Sequence, residues 1–366
     1  MSVKPVILFE SYPDFNGSAL AVYEELVRRG YDKKYDLVWA VYSDFNLKTD
    51  YKIVKFFNCN SAEKQNIIRR TKCIIDSNRF IQKFSPNVYR IFLRHGLTLK
   101  NCLGYARGIG MVDAIPTSSA EMLELDKKLW APCIKDKFII TGTPGTDKLF
   151  HTKDLYAGFI QEITGTENKF SKIISWLPTY RDHRCSHFGK NRFPFGLPVI
   201  HNLDEYNKIN ETLKKNNNLL IIQMHHAQAK NYQQLPKVSN IVFVNEVIKN
   251  KYHLSTMDIL GNSDALITDY SAAYHEYIIL NRPIALCIED LVAYSKVQGF
   301  FCNYLDWIKG DYVMDNADLC KWIDDISNGK DNSKSEREKS LNKIYKFKDD
   351  KATERVVNYL IEKANL

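Results

Sequence analysis

The sequence predicts an α/β protein made of two Rossmann-like domains that face each other across a cleft. Short apolar segments alternate with helical segments in two successive series of similar length. Such alternation is typical of a parallel sheet with helices on both faces. The polar segment 146–172 separates the two series, and 366 residues suffice for two domains of ordinary size. We therefore expect a first domain over 1–150 and a second over 151–366, with the last helix packing back on the first domain.

The elements of the first domain follow from the spacing of apolar residues. Leu20, Tyr23 and Leu26 share one face of a helix that ends near Gly30, because glycine commonly closes a helix. Further helices are predicted at 61–70 and 119–129, and strands at 6–9, 37–42, 73–76, 88–93 and 138–141.

The second domain repeats the same alternation. Val356, Val357 and Leu360 lie on one side of a last helix at 352–362, and the charge-rich stretch 328–339 is a surface segment or the start of a solvated helix. The other predicted helices are 203–215, 257–261 and one that ends before Pro283, and the strands are 173–177, 219–224, 241–245, 265–267 and 284–288.

The composition narrows the class of partner without choosing one. A formal net charge of +8 suits a polyanionic ligand, a nucleotide, an anionic membrane surface or a nucleic acid, and equally an ordinary basic surface. The aromatic residues do not interleave with basic clusters, which disfavours nucleic acid. No apolar stretch approaches the roughly 20 residues that span a bilayer, and the N-terminus lacks the features of a signal peptide. Scattered cysteines without a CxxC pair indicate reduced thiols, so we expect a cytoplasmic protein.

Four polar clusters each come directly after a predicted strand. They lie at 94–96 (RHG), 178–182 (PTYRD), 225–226 (HH) and 268–271 (TDYS). In an open parallel sheet, ligands bind beyond the carboxyl ends of the strands. All four clusters are therefore expected to line one ligand site.

The stretch 258–288 contains the fourth cluster between a strand and a helix. Two explanations are open at this level. The backbone N–H groups and hydroxyls at a helix N-terminus favour an anion, or Asp269 or Ser271 serves only as an N-cap in an ordinary turn.

The residue types in these clusters suit phosphate and general-base chemistry. His95 and His225 titrate near neutral pH, and Gly96 permits close backbone approach to a ligand, although each histidine is equally consistent with a structural role. Thr179 and Arg181 offer donors for phosphate oxygens; a surface ion pair of Arg181 with its neighbour is the alternative.

Several other chemistries are disfavoured by the motifs. The chain has no GxxxxGK[ST] loop, no convincing GxGxxG and no GxSxG elbow. A metal site at 225–226 is a poor match, because adjacent residues at a strand end face opposite ways.

Taken in order, these clusters resemble the motifs of the CDP-glycerol glycerophosphotransferase family, the enzymes of teichoic-acid and related capsule-type polyol-phosphate polymers. The stretch 94–100 (RHGLTLK) resembles the family's W-H-G-T-P-L-K, and 177–182 (LPTYRD) its A-P-T-W-R-D. The pair 224–225 (MH) resembles the K-x-H-P strand end, and 264–277 (DALITDYSAAYHEY) resembles D-x-L-I-T-D-Y-S-S-x-x-F-D-F. Two further matches are 142–147 (GTPGTD), similar to G-x-P-R-x-D, and 347–357 (FKDDKATERVV), similar to D-G-x-A-x-x-R-V.

The chain departs from the family pattern at defined positions. Arg94 stands where the family has tryptophan, and Gly145 where it has arginine. Ala272 replaces the second serine of the D-Y-S-S segment, Glu276 replaces the later aspartate, and His226 replaces a proline.

The resemblance implies a glycosyltransferase-B architecture, no metal or other cofactor, and a defined reaction. A hydroxyl of a lipid-linked glycan or polyol-phosphate acceptor attacks CDP-glycerol and releases CMP, with peripheral contact at the cytoplasmic face of the membrane. The resemblance implies His95 as base, and His225, Arg181, Thr179 and Ser271 around the pyrophosphate.

The remaining residues of the matched motifs are assigned to the donor side of the site. Asp269 and Glu276 are candidates for ribose contact or for orienting a histidine, and Gly96, Pro178 and Tyr270 complete the donor-binding set. Alternative functions are transfer from CDP-ribitol or a nucleotide sugar, and an inactive module that binds anions.

Overall fold

The chain folds into two compact units. The computed structural model describes residues 3–42, 50–57, 60–78, 81–94, 96–101, 110–130, 132–151, 156–167, 169–179, 193–224 and 234–366. The first unit comprises 1–97, 102–148 and 344–366, and the second comprises 98–101 and 149–343. Residues 344–366 belong to the first unit. The prediction that they form part of the second domain, with the last helix packing back on the first, is wrong in its boundary.

The first unit contains a five-stranded parallel sheet. Strands β1 to β5 lie in the order β3-β2-β1-β4-β5, and a separate parallel pair, β6-β7, follows them in the chain. The central position of β1 explains why all five of its residues are buried. The strands are β1 (Val6–Glu10), β2 (Asp36–Val41), β3 (Lys52–Lys55), β4 (Thr71–Asp76), β5 (Tyr89–Phe92), β6 (Ile115–Thr117) and β7 (Phe138–Ile140).

The second unit contains a six-stranded parallel sheet. Its order is β10-β9-β8-β11-β12-β13, so the strand order reverses at the β8/β11 pair as it does at β1/β4 in the first sheet. The strands are β8 (Lys172–Leu177), β9 (Asn218–Ile222), β10 (Ile241–Phe243), β11 (Ala265–Thr268), β12 (Ile284–Cys287) and β13 (Asp311–Val313).

Thirteen α-helices of four or more residues are present in the described part of the chain. None of them is long and apolar enough to cross a membrane. In chain order they are α1 (Gly17–Arg28), α2 (Ala62–Arg70), α3 (Ala120–Leu129), α4 (Tyr156–Thr164), α5 (Leu203–Lys215), α6 (Glu246–Lys251), α7 (Thr256–Gly261), α8 (Ala273–Tyr277), α9 (Leu291–Val297), α10 (Tyr304–Trp307), α11 (Asn316–Ser327), α12 (Lys334–Ile344) and α13 (Ala352–Lys363).

Both sheets are covered by helices on both faces, as the alternating pattern predicts. In the first unit, Ile7 packs with residues of α1 and α13 on one face, and Leu8 packs with α2 on the other. In the second unit, Trp176 packs with α5 and α11, while Leu219 packs with α4 and α7 on the opposite face. Two Rossmann-like domains are therefore confirmed, and the cleft between them stays a prediction.

The strands absent from the sequence prediction are short or lie at sheet edges. Strand β3 is an edge strand with exposed lysines at both ends, and β6 and β13 have three residues each. Their apolar signal is too brief to separate from a loop. Helix α11 is also absent from the prediction, although Asp315 caps it and its buried face is apolar.

Two motifs of the family resemblance meet in the first unit, where they hold α13. The Asp147 carboxylate accepts hydrogen bonds from the backbone N–H groups of Ala352 (3.0 Å) and Thr353 (2.7 Å) in the first turn of α13. Arg355 donates to the carbonyl of Thr141 (2.8 Å) and pairs with Asp349 (2.8 Å). The stretches 142–147 and 347–357 therefore position this helix.

The same contacts explain why glycine stands at position 145. Its backbone N–H donates to Ser18 Oγ at 3.1 Å, and a Cβ at this position would lie 3.2 Å from that oxygen. The N-terminus of α1 thus approaches the 142–147 turn too closely for a larger residue without a shift of the chain.

We predict that Asp147→Ala lowers the free energy of unfolding by about 1–2 kcal/mol, because two N–H groups at the start of α13 lose their acceptor. Urea unfolding followed by tryptophan fluorescence measures the change. Glu354→Ala, at an exposed position on the same helix, is the matched control and should leave the unfolding midpoint unchanged. An Asp147→Ala curve that overlays the wild-type curve would contradict this role.

Candidate active site

The polar clusters at 177–179 and 268–271 lie together where the strand order of the second sheet reverses. Strands β8 and β11 are neighbours, and Thr268 pairs in register with Leu177. The Thr268 hydroxyl donates to the carbonyl of Leu177 at 2.8 Å. Such a reversal opens a crevice at the carboxyl ends of the strands, which is the usual ligand position in this class of sheet.

Asp269 holds the chain at Thr179. The buried Asp269 carboxylate accepts hydrogen bonds from the Thr179 backbone N–H (2.8 Å) and hydroxyl (2.5 Å). Pro178, directly before, is also buried. Because both donors of Thr179 are directed to Asp269, the pair fixes the chain directly after β8.

Tyr270 anchors the other side of this turn in the protein interior. Its side chain is buried, its hydroxyl donates to Asp290 at 2.8 Å, and its ring stacks on Tyr294 with centroids 4.1 Å apart. The hydroxyl of Tyr304 donates to the backbone carbonyl of Asp269 at 2.6 Å. Tyr270, predicted as a donor-binding residue, therefore contributes through the backbone conformation that it stabilises.

Ser271 and Ala272 lead into a helix that is shorter than the sequence predicts. Helix α8 has five residues and is followed by a 3₁₀ turn over Ile278–Leu280. Ser271 is half-buried, and its Oγ accepts from the N–H of Ala273 at 3.3 Å. Ala272 has helical angles and no side-chain cap, so a second serine is not needed to begin this turn.

Burial changes the acidity of the Glu276 side chain. It is half-buried and lies one turn after Ala272, whose carbonyl accepts its backbone N–H. Burial raises the pKa of the Glu276 carboxyl to about 8. Within the described ranges, this carboxyl has no hydrogen-bond or ion-pair partner. At neutral pH it is thus mostly protonated and able to donate a hydrogen bond.

In the first unit, Arg94 fixes the backbone beside His95. Arg94 has a left-handed conformation (φ 62°), and Gly96 has φ 127°. The buried Arg94 guanidinium donates to both Asp126 carboxylate oxygens (2.6 and 3.1 Å) and to the Pro116 carbonyl (2.9 Å). The departure from tryptophan at position 94 thus introduces a buried ion pair that holds the chain on one side of His95.

A second polar cluster lies at the β1/β4 reversal of the first sheet and was not among the predicted site residues. Glu10 is fully buried; its carboxylate accepts from the Tyr42 hydroxyl (2.6 Å) and the Asn78 N–H (3.0 Å). Burial raises the pKa of Glu10 to about 7. Beside it, Asp76 and Arg90 form a fully buried ion pair at 2.8 Å. The sequence contains one signal for this cluster: each of the two buried strands, β1 and β4, ends in an acidic residue, Glu10 and Asp76.

Three residues with predicted catalytic or phosphate-binding roles, His95, Arg181 and His225, lie outside the described residues, so their roles stay predictions. Among the residues that the structure describes, no three His, Cys, Asp or Glu side chains form a group that could hold a metal ion. The structure brings together Pro178, Thr179 and Asp269, and it places Gly96 in the other unit.

Two Rossmann-like units, each with a parallel sheet, define a class of two-domain α/β proteins. A variant of the wall teichoic acid polymerase TagF superposes with a TM-score of 0.77 at 19% identity, covering 99% of this chain and 89% of that one. Another TagF variant, soaked with CDPG, superposes with a TM-score of 0.74 at 18% identity, covering 99% of this chain and 89% of that chain. UDP-GlcNAc 2-epimerase from Neisseria meningitidis, bound to UDP-GlcNAc, gives 0.52 at 14% identity, covering 99% of this chain and 100% of that chain. These likenesses confirm the glycosyltransferase-B-like fold.

The family follows from the sequence. The model of the CDP-Glycerol:Poly(glycerophosphate) glycerophosphotransferase family matches residues 2–362, and the chain belongs to this family. It is 26% identical to the teichoic acid ribitol-phosphate polymerase TarL of Staphylococcus aureus over 96% of this chain and 61% of that protein. It is 28% identical to the teichoic acid glycerol-phosphate primase of Bacillus subtilis over 78% and 68%. The chain thus spans about 61–68% of the length of these relatives.

We predict that Asp126→Asn lowers the free energy of unfolding of the first unit by about 3–5 kcal/mol, because it leaves the Arg94 guanidinium buried without its counter-charge. Urea unfolding measures the loss. Glu124→Gln removes an exposed ion pair with Lys127 on the same helix and should have no measurable effect. Equal midpoints for the two variants would show that the Arg94 pair does not hold this segment.

Proposed function

We propose that this chain transfers glycerol phosphate from CDP-glycerol to a hydroxyl of a lipid-linked glycan or polyol-phosphate acceptor and releases CMP. The observation that carries the proposal is the family match over residues 2–362. The fold shared with TagF, a variant of which was soaked with CDPG, is consistent with it. In the reaction, the acceptor oxygen bonds to the β-phosphorus, and the bond from that phosphorus to the bridging oxygen breaks. CMP leaves with the electron pair, and the acceptor proton passes to a base.

Phosphoryl transfer of this kind depends mainly on positioning and on stabilising charge. We assign His95 as the base on the acceptor hydroxyl, because the stretch 94–100 resembles the family's W-H-G-T-P-L-K segment. His225 and Arg181 are assigned to the pyrophosphate. Thr179 and Asp269 are assigned to holding the chain directly after β8, because their hydrogen bonds are made to each other.

Glu276 suits a site for a negatively charged donor. A carboxylate beside a pyrophosphate would repel it, whereas a protonated carboxyl donates a hydrogen bond to a phosphate or ribose oxygen. The raised pKa keeps Glu276 in the protonated form at neutral pH. A neutral carboxyl at Glu276 is compatible with its position after the D-Y-S segment, which we assign to the donor side of the site.

Transfer of ribitol phosphate from CDP-ribitol is the second candidate. It is favoured by the match to the ribitol-phosphate polymerase TarL over 96% of the chain. Incubation with CDP-glycerol, CDP-ribitol and UDP-sugars, with CMP and UDP quantified, separates the candidates. CMP release from CDP-glycerol is expected to be fastest. UDP release alone would contradict the proposal, and CDP-glycerol binding without CMP release under any acceptor would indicate an inactive binding module.

We predict that His95→Ala lowers kcat for CMP release by about 10²–10⁴, because the acceptor hydroxyl loses its base. Calorimetry should show little change in CDP-glycerol affinity. His253→Ala, an exposed position in the second unit, is the control and should keep wild-type turnover. A His95→Ala enzyme with near-wild-type kcat would remove His95 from this role.

We predict that kcat/KM for CDP-glycerol falls as the pH rises through about 8, where Glu276 ionises. The sign follows from the charge: the carboxyl is neutral below this pH and repels the pyrophosphate above it. Glu276→Gln, a neutral donor at every pH, should abolish the fall, whereas Glu211→Gln at an exposed site should retain it. An unaltered alkaline limb in Glu276→Gln would contradict the assignment.

A further inference from the structure

A buried glutamine lies at the carboxyl end of β9. Gln223 directly follows the last residue of this strand, and its backbone N–H donates to the carbonyl of Trp176 in the neighbouring β8 at 2.9 Å. The residue is only 9% exposed. Within the part of the chain that the structure describes, the Nε2 atom of its amide has no hydrogen-bond partner. A buried N–H group without an acceptor costs free energy, so its presence at a strand end requires a reason.

A series of hydrogen bonds that begins at a buried lysine orients this amide. The Lys249 ammonium group donates to Thr256 Oγ1 at 3.2 Å, and the Thr256 hydroxyl donates to Gln223 Oε1 at 3.3 Å. An ammonium group only donates, so the threonine oxygen accepts from it and gives its own proton to the glutamine. The amide oxygen is thus occupied, and the two N–H groups of Nε2 lie at the end of the series.

The same series strengthens Nε2 as a donor. Every bond in it runs from the ammonium group toward the amide, and hydrogen bonds in series polarise one another. Lys249 is buried, whereas the side chain of its ion-pair partner Glu246 is 61% exposed, so solvent screens the negative charge more than the positive one. Such a donor suits a negatively charged oxygen, because hydrogen bonds to ionised acceptors are stronger than those to a neutral carbonyl.

The position of Gln223 in the sheet indicates which anion it meets. Strand β9 lies beside β8, about 5 Å away, and the strand order reverses between β8 and β11. Ligands of such sheets bind beyond the carboxyl ends of the strands at this reversal. The acid at the reversal, Asp269, accepts both donors of Thr179. Nε2 of Gln223 is therefore a donor beside the crevice that a phosphate group would occupy.

We propose that Gln223 donates a hydrogen bond through Nε2 to a phosphate oxygen of the nucleotide donor. Lys249 contributes its charge through Thr256 and the amide, without contacting the ligand. That the phosphate belongs to a nucleotide donor rests on the proposed function; the phosphate contact itself does not.

The test measures the binding of inorganic pyrophosphate and of cytidine to the whole chain by calorimetry. Gln223→Met keeps the shape of the side chain but has no N–H group, so it should weaken pyrophosphate binding about 10- to 100-fold. Cytidine affinity should not change. The melting temperature of the free protein should stay the same or rise, because a buried donor without an acceptor is removed. Gln161→Met, at an exposed glutamine of the second unit, is the matched control and should retain wild-type affinity.

A second variant tests the contact independently of the first. Gln223→Glu keeps an oxygen for the Thr256 hydroxyl and replaces the two N–H groups by a second oxygen. Its pyrophosphate affinity should fall below that of Gln223→Met, because a carboxylate repels phosphate. Both variants are compared with the wild type at a temperature at which all three are folded.

The outcomes separate this proposal from the proposed function. Wild-type pyrophosphate affinity in both variants, or a wild-type chain that does not bind pyrophosphate, would overturn the phosphate contact. Loss of cytidine affinity alone would assign Nε2 to the base and would overturn it as well. Calorimetry with CDP-glycerol is run on the same samples. A wild-type chain that binds pyrophosphate through Gln223 but does not bind CDP-glycerol would contradict the proposed function and leave the phosphate contact standing.

Discussion

The hydrogen bonds from Thr179 to the Asp269 carboxylate are the constraint on which the candidate site depends. They join the ends of β8 and β11, the two strands between which the strand order reverses, at distances of 2.8 and 2.5 Å. The aromatic group around Tyr270 holds the same turn from the interior. Loss of either partner would leave a polar group buried without its bond.

Buried charge has the same positioning role in the first unit. Arg94 is committed to Asp126, and Arg90 to Asp76, and all four side chains are buried. Replacing such pairs by apolar residues is often neutral for stability, so their value lies more in the conformation that they specify. At Arg94 that conformation is a left-handed backbone directly before His95. The departure from the family's tryptophan therefore places a buried ion pair directly before His95.

The sequence predicted the parts of the fold that have a strong periodic signal. Central strands such as β1 and β8, and amphipathic helices such as α5 and α13, begin and end within a few residues of their predicted positions. Strand β3 was missed because an edge strand with exposed lysines lacks the apolar run of a central one. For the candidate site, order along the chain predicted that 178–179 and 268–271 meet, because parallel strands end at one edge of the sheet.

The sequence by itself determined the family, the two Rossmann-like domains and the segments that follow the strand ends, because these depend on local patterns and on motif order. Only the tertiary structure decided what each polar side chain contacts. It directed Thr179 to Asp269, placed the Tyr270 ring in the interior, joined Asp147 to α13 and left Tyr12 exposed. It also raised the pKa of Glu10 and Glu276 by burial. These outcomes depend on contacts between residues far apart in the chain, which spacing along the sequence does not encode.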